Sequence, residues 1–169
     1  MSITYEIREA ADIELAIQFR LHTAEKMPEA PSKASIEQAH QIYAEAYRNG
    51  SIVHYFAFNQ QGEAIASAGA LLKTDFPYLF SKPGQYGWII DVYTKPPYRG
   101  NGLARQLIER SNNWLRQKGI YESKLIAYGK KPQKIYEQLG YRPTWEMSLN
   151  LNPDVPTLNE QIDQLAQKQ

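Results

Sequence analysis

The sequence predicts an α/β (α+β) fold, a mixed and mostly antiparallel single-layer sheet with helices on both faces. Three observations predict it. The elements run strand, two helices, three strands, helix, strand, helix, strand. The turn Asn59-Gln60-Gln61-Gly62 links two strand patterns as a hairpin, so the middle of the sheet is antiparallel. Residues 85–94 are nearly continuously apolar around Ile89, Ile90 and Val92, the pattern of a strand covered on both faces.

Taken in order, residues 4–8 alternate Tyr5 and Ile7 with charged neighbours, a short strand. Asp12 is placed to cap a first helix, in which Leu15, Ala16, Phe19 and then His22 or Thr23 recur at helical spacing to about residue 26. Two prolines in 27–32 break it. Ser35-Ile36-Glu37-Gln38 reads as a capping box, and Ile36, Ala39, Tyr43 and Tyr47 form the stripe of a second helix that Asn49-Gly50 ends. Residues 51–58 are β-branched and aromatic, and 64–72 form the return strand, where Gly69 marks a bulge or a close approach. Residues 73–84 hold Phe76, Pro77, Tyr78, Leu79, Phe80 and Pro83 without periodicity, either a pocket wall or lid or a loop folded on its own side chains.

Leu103, Leu107, Ile108, Ser111, Trp114 and Leu115 line one side of the best helix pattern in the chain, with Arg105, Glu109, Arg110, Asn112 and Arg116 opposite and Gly119 closing it. Residues 123–128 read as a short strand, and Pro132 opens a short helix through Ile135, Tyr136 and Leu139 that Gly140 terminates. Residues 141–151 alternate again and predict the last strand. Pro153 and Pro156 bound a linker, and Thr157-Leu158-Asn159-Glu160 reads as a capping box before a terminal helix. This divides the chain into one domain over 1–152 and an extension over 153–169.

Composition narrows the function classes. The 169 residues are 43% apolar and 22% charged with a formal net charge of +1, so no global field draws the chain to nucleic acid or an anionic membrane. Cysteine is absent, which excludes a disulfide framework, a zinc ribbon and a cysteine nucleophile. The N-terminus lacks a basic stretch leading into an apolar one, and no apolar run approaches a membrane span. A cytoplasmic protein is the expectation. His22, His40 and His54 do not cluster and read as surface or satisfied core histidines, so no metal is expected.

The chemistry concentrates in residues 91–105, Asp91-Val92-Tyr93-Thr94-Lys95-Pro96-Pro97-Tyr98-Arg99-Gly100-Asn101-Gly102-Leu103-Ala104-Arg105. A strand stops at two prolines, an Arg/Gly turn follows, and a helix begins within it. Free backbone N–H groups and the positive end of a helix dipole then converge on one point, a pocket for a phosphate or pyrophosphate. A Walker loop would need Gly-Lys-Ser/Thr where this chain has Gly102-Leu103, and a dinucleotide fingerprint would need a third glycine where Arg105 stands.

What remains is Arg99-Gly100-Asn101-Gly102-Leu103-Ala104, an Arg/Gln-x-x-Gly-x-Gly/Ala pattern, with Ile135-Tyr136-Glu137-Gln138-Leu139-Gly140-Tyr141 one strand and helix later. Over residues 87–149 the chain resembles the GNAT superfamily of acyl-CoA-dependent N-acetyltransferases. The second stretch is similar to that family's Leu-Tyr-Glu-x-Leu-Gly-Phe. The resemblance implies a GNAT-like sheet in which the central strand splays from the next, leaving a slot. It implies acetyl-CoA as cosubstrate, its pantetheine arm pairing along Val92, Tyr93 and Thr94. The backbone around Gly100, Asn101, Gly102, Leu103, Ala104 and Arg105 would cradle the pyrophosphate, with Arg99 contributing by backbone, charge or both. Gly129 stands where the family often has Asn, and Lys130, Lys131 and Lys134 lie nearby, either approaching the phosphates of the cosubstrate or solvated; Lys131 is counted with the cofactor-binding residues.

The implied reaction is direct attack by a primary amine, of a small molecule or a protein, on the thioester in a ternary complex. Tyr136 is the expected acid, since a phenol with a reference pKa of about 10 can protonate a thiolate whose reference is about 8.5. Asp91 is the candidate base, with a pKa raised if it is buried in an apolar strand, and a water relay is the alternative. Trp145 and Glu146 either line the acceptor side or are ordinary edge residues. The alternative to an enzyme is a non-catalytic acyl-CoA-binding regulatory module, which has no need of Tyr136. A homodimer is compatible with the strand edges and the terminal helix.

Overall fold

The computed structural model describes residues 3–24, 30–75, 84–127 and 129–166. Its elements are β1 (Tyr5–Glu9), α1 (Ile13–Ala24), α2 (Lys33–Arg48), β2 (Ile52–Asn59), β3 (Ala64–Thr74), β4 (Gln85–Thr94), α3 (Leu103–Gln117), β5 (Ser123–Lys124), α4 (Lys130–Gln138) and α5 (Leu158–Ala166), with a 3-10 turn at Pro96–Tyr98. They fall into two compact units, Met1–Thr23 with Pro31–Leu125, and Ala24–Ala30 with Ile126–Gln169.

In the first unit the strands lie in the order β1-β2-β3-β4-β5. The first three links are antiparallel and the last is parallel. The β2–β3 hairpin closes on Gly62, which takes φ 77° and donates its N–H to the Asn59 carbonyl. One face of the sheet packs on α1 and α2. There Ala16, Ile17, Phe19, Tyr43 and Ala46 bury against Ile52 and Phe56, with Leu71 alongside. The next residue, Leu72, faces the other way and pairs with Gly87, over which Leu115 of α3 lies so closely that a β-carbon would come within 2.2 Å of it. Alternation puts Ala66, Ala68 and Ala70 on that same face, all fully buried. Small residues there let α3 sit close to the sheet.

The caps follow the sequence with one shift. Asp12 Oδ1 accepts the Leu15 N–H at 2.9 Å, as its position predicts. The second helix begins earlier than the Ser35 capping box: Ser32 is the cap, its Oγ accepting the Ser35 N–H at 3.1 Å. Asn49 and Gly50 end it as expected, Gly50 at φ 69°. The aromatic loop contributes Lys73 and Thr74 to β3, while residues 76–83 lie outside the described residues.

The second unit carries α4, closed at Gly140 with φ 91°, and α5. The terminal capping box forms in both directions. The Glu160 N–H donates to Thr157 Oγ1 at 3.3 Å, and Glu160 Oε2 accepts the Thr157 N–H at 2.6 Å. Two strand expectations are corrected. The strand expected over 123–128 is reduced to the two residues of β5 within the described residues, with Tyr128 outside them. Residues 141–151 form no strand at all. Alternation marks a face, but a strand also needs a neighbour to complete its ladder, and Pro143 removes one of the donors.

Candidate active site

The site is built around an irregularity in β4. Ser67 pairs with Tyr93 and Gly69 with Ile90, so Asp91 and Val92 together oppose Ala68. This is a β-bulge, and Asp91 takes the left-handed conformation it requires, φ 54°, alone among the described non-glycine residues. Aspartate tolerates that region better than most side chains do. The displaced Asp91 carbonyl accepts a hydrogen bond from the buried hydroxyl of Ser67.

The bulge turns the Asp91 carboxylate into the first unit's core, where three donors meet it. Arg20 Nη1 of α1 lies 3.1 Å from Oδ1, His54 Nε2 of β2 lies 2.9 Å from Oδ2, and the Tyr43 hydroxyl of α2 donates to Oδ2. Behind them the Tyr47 hydroxyl meets His54 Nδ1 at 2.6 Å. The ring of His54 fits because Gly69, its cross-strand partner, has no β-carbon; one placed there would come within 2.7 Å of the imidazole.

The electrostatics reverse one expectation. Burial is the largest influence on Asp91 and by itself would raise its pKa. The hydrogen bond and proximity of His54, then Arg20 and Tyr43, outweigh burial and hold the carboxyl below its ordinary value. The raised value expected of a buried base is therefore corrected to a lowered one: the apolar strand pattern of 85–94 shows the burial but not the donors. Tyr43 moves upward, through burial first and the Asp91 charge second, so it stays a donor. Tyr47 moves the same way for the same two reasons.

Beyond Asp91 the strand runs out beside an open edge. Among the described residues β5 pairs with β4 only at Gly87 and Trp88, and Ile89 to Thr94, including Val92, Tyr93 and Thr94, have no ladder partner on that side. This is the splay. Thr94 Oγ1 is buried and is the one such side-chain atom without a hydrogen-bond partner among the described residues. Tyr93 packs its ring against His22, stacked at 5.0 Å between centroids, and against Phe19.

The 3-10 turn at Pro96–Tyr98 then delivers the chain to the glycine turn. Arg99 donates Nε to the Thr94 carbonyl at 2.9 Å and lies 5.6 Å from the Tyr93 ring centroid. Asn101 ties the turn from within, its Nδ2 reaching the carbonyls of Tyr98 and Arg99. Gly100 and Gly102 take φ 82° and 73°, and a β-carbon on Gly100 would meet nothing within 4 Å. Gly102 is the N-cap of α3 and offers no side chain to its first turn. The N–H groups of Leu103, Ala104 and Arg105 belong to the set that a helix leaves without intrahelical acceptors. Arg105 pairs with Glu109 at 3.2 Å. An anion fits this cradle by charge and by space.

The structure thus brings Asp91, Val92, Tyr93, Thr94 and the 99–105 turn into one continuous stretch. Tyr136 lies in the second unit, on α4, where it is buried and packs edge-on against Tyr141 at 6.1 Å between centroids. Lys131 is in the first turn of α4, and its side chain lies outside those described. Trp145 and Glu146 are exposed. Arg20, Tyr43, Tyr47, His54 and Ser67 were not singled out as site residues. His54 is a satisfied core histidine, as the unclustered histidines predict. The available signal was the pair Tyr43 and Tyr47, two phenols one helical turn apart on a core-facing stripe, each needing a buried acceptor. No group of three His, Asp or Glu side chains that could hold a metal occurs among the described residues.

The model of the acetyltransferase (GNAT) family matches residues 16–141. Glucosamine 6-phosphate N-acetyltransferase of Trypanosoma brucei brucei is 31% identical over 117 residues, 69% of this chain and 76% of that protein. A predicted acetyltransferase from Clostridium acetobutylicum, solved with acetyl-CoA, superposes with a TM-score of 0.79 at 26% identity, covering 88% of this chain and 97% of the other. An acetyltransferase of Trypanosoma brucei gives 0.63 at 29% identity, covering 88% and 99%.

Proposed function

From the premise that the chain belongs to the GNAT family and is an acetyl-CoA-dependent N-acetyltransferase, we propose that it transfers the acetyl group to a primary amine of a small molecule by direct attack in a ternary complex. The name of the trypanosomal relative supports an amino sugar or similar small amine over a protein amine. The observation that carries the reading is the unpaired edge of β4 with its orphaned Thr94 hydroxyl, running straight into the positive-φ turn at Gly100 and Gly102.

Acetyl-CoA supplies an activated thioester when bound. The residues here do the rest. Val92, Tyr93 and Thr94 offer backbone groups to the pantetheine amides, and Thr94 Oγ1 gains the partner it lacks. Gly100 to Arg105 hold the pyrophosphate through backbone N–H groups, with Arg99 and Asn101 fixing the turn's shape. Tyr136 donates its phenolic proton to the departing thiolate. Asp91 was the candidate base, but three donors hold its carboxyl below the ordinary value and so favour its ionised form. We therefore assign removal of the ammonium proton to a water relay and give Asp91 the task of holding the bulge in β4.

The reading is tested by incubating the protein with acetyl-CoA and a panel of primary amines that includes amino sugars, following free thiol release. Amine-dependent release is expected. Tight binding of CoA with no release on any amine would replace catalysis by acyl-CoA binding alone.

A further inference from the structure

The first half of β4 carries a patch that neither the core nor the glycine turn uses. Tyr86 and Trp88 pair across the sheet with Lys73 and Leu71 of β3, and Trp88 pairs with Lys124 of β5 on the other side. Cross-strand partners project from one face, and Leu71 identifies it as the face that α1 and α2 cover. The helices pack onto Leu71, Ile90 and Tyr93, whereas Tyr86 and Trp88 lie outside that core and are half-buried. Their rings meet edge to face at 6.2 Å between centroids. Each carries an ammonium group: Lys73 Nζ is 4.4 Å from the Trp88 centroid and Lys124 Nζ is 4.7 Å from that of Tyr86. Arg20, Arg48, Lys95 and Arg105 hold their charges against carboxylates. Lys73 and Lys124 have rings beneath theirs, and a ring positions an ammonium without neutralising it.

The patch stands at the closed end of the slot. Trp88 and Lys124 form the last β4–β5 pair among the described residues, and the open edge of β4 starts at the next residue, Ile89. With the cosubstrate's phosphates at residues 100–105 and its arm running back along Thr94, Tyr93 and Val92, the acyl end points toward Trp88. Trp88 is about 10 Å along the strand from Asp91. An amine that reaches the thioester has its remaining atoms ahead of the acyl end, against this patch. Resting on the reading of the chain as an acetyltransferase, we propose that Lys73, Lys124, Tyr86 and Trp88 form the acceptor subsite, and that the acceptor is a primary amine bearing an acidic group, phosphate or carboxylate, at its far end. The rings take the carbon skeleton and the two ammonium groups take the anion. The same two charges disfavour polyamines and other polycationic amines. The formal net charge of +1 gives no sign of this, because two lysines flanking one strand make a local field.

The test measures binding to the full chain in the presence of CoA, by calorimetry, for amines that share a hexyl chain and differ at the far end: hexylamine, 6-aminohexanoate, 6-aminohexyl phosphate and hexane-1,6-diamine. One or both acidic amines are expected to bind at least about tenfold tighter than hexylamine, and the diamine more weakly than hexylamine. The tighter of the two acids identifies the group. Lys73→Gln with Lys124→Gln is expected to level the series with CoA affinity and circular dichroism unchanged, and Lys73→Arg with Lys124→Arg to keep the preference. Equal or unmeasurable affinity across the series would overturn the proposal. So would a preference for the diamine, or an acidic preference that survives the glutamine pair or is lost in the arginine pair. Thiol release from acetyl-CoA is followed on the same amines. Acidic preference without release keeps the subsite and sinks the transfer reading, and release without the preference does the reverse.

Discussion

Gly69 and His54 face each other across β3 and β2, and the missing β-carbon of one makes room for the ring of the other. Nothing larger fits: the added carbon would sit 2.7 Å from His54 Cδ2 and Nε2 and 2.8 Å from the Val53 carbonyl oxygen. Backbone on one side and a hydrogen-bonded ring on the other leave little room to yield. Gly69→Ala is therefore expected to destabilise by about 1–3 kcal/mol, the usual range for overpacking. Thermal unfolding would show a loss of about 2–4 °C per kcal/mol. An unchanged midpoint would mean that the His54 ring is free to move.

Asp91 predicts the acid limb of stability. Its folded-state pKa lies below the ordinary carboxylate value, so its contribution is complete above about pH 3.9 and is lost as pH falls through the lower folded value. Unfolding midpoints of the native chain should drop below about pH 4. Asp91→Asn should be less stable at neutral pH and show a shallower drop. Equal acid slopes in the two proteins would assign the effect to other carboxylates.

Tyr136 predicts a split between turnover and affinity. Tyr136→Phe keeps the packing against Tyr141 and removes only the hydroxyl. Turnover is expected to fall at least about tenfold with CoA affinity little changed. Full activity in the variant would remove the phenol from the mechanism.

Gly102 predicts the reverse pattern. Its φ of 73° favours glycine, and its amide opens the cradle at the start of α3. Gly102→Glu would add both bulk and a negative charge facing the pyrophosphate. CoA binding, measured by calorimetry, should be abolished while the far-ultraviolet circular dichroism is kept. Retained affinity would move the cofactor site away from this turn.

Much of this was legible in the chain. Asp12 caps the first helix, Gly50 and Gly119 close the second and third, and β4 has the bounds its apolar run predicts. The glycine turn was legible for the same reason, since its φ values and its place before α3 are written in neighbouring residues. The cluster on Asp91 was not. Its partners come from α1, α2 and β2 at separations of 71, 48 and 37 residues. No periodicity along the strand announces a donor so far away.

The sequence by itself determined most helix ends, which strand is central, and where the glycine turn lies. Helix hydrogen bonds, caps and turns join residues a few positions apart, so local chemistry decides them. Only the tertiary structure decided the protonation of Asp91 and the standing of the last two strands. A buried carboxylate has its pKa set by whichever distant donors the fold delivers, and a strand exists only where another backbone completes its ladder. Asp91 received three donors and became an anchored anion, whereas Trp145 to Leu151 carry the alternation of a strand but take no strand conformation.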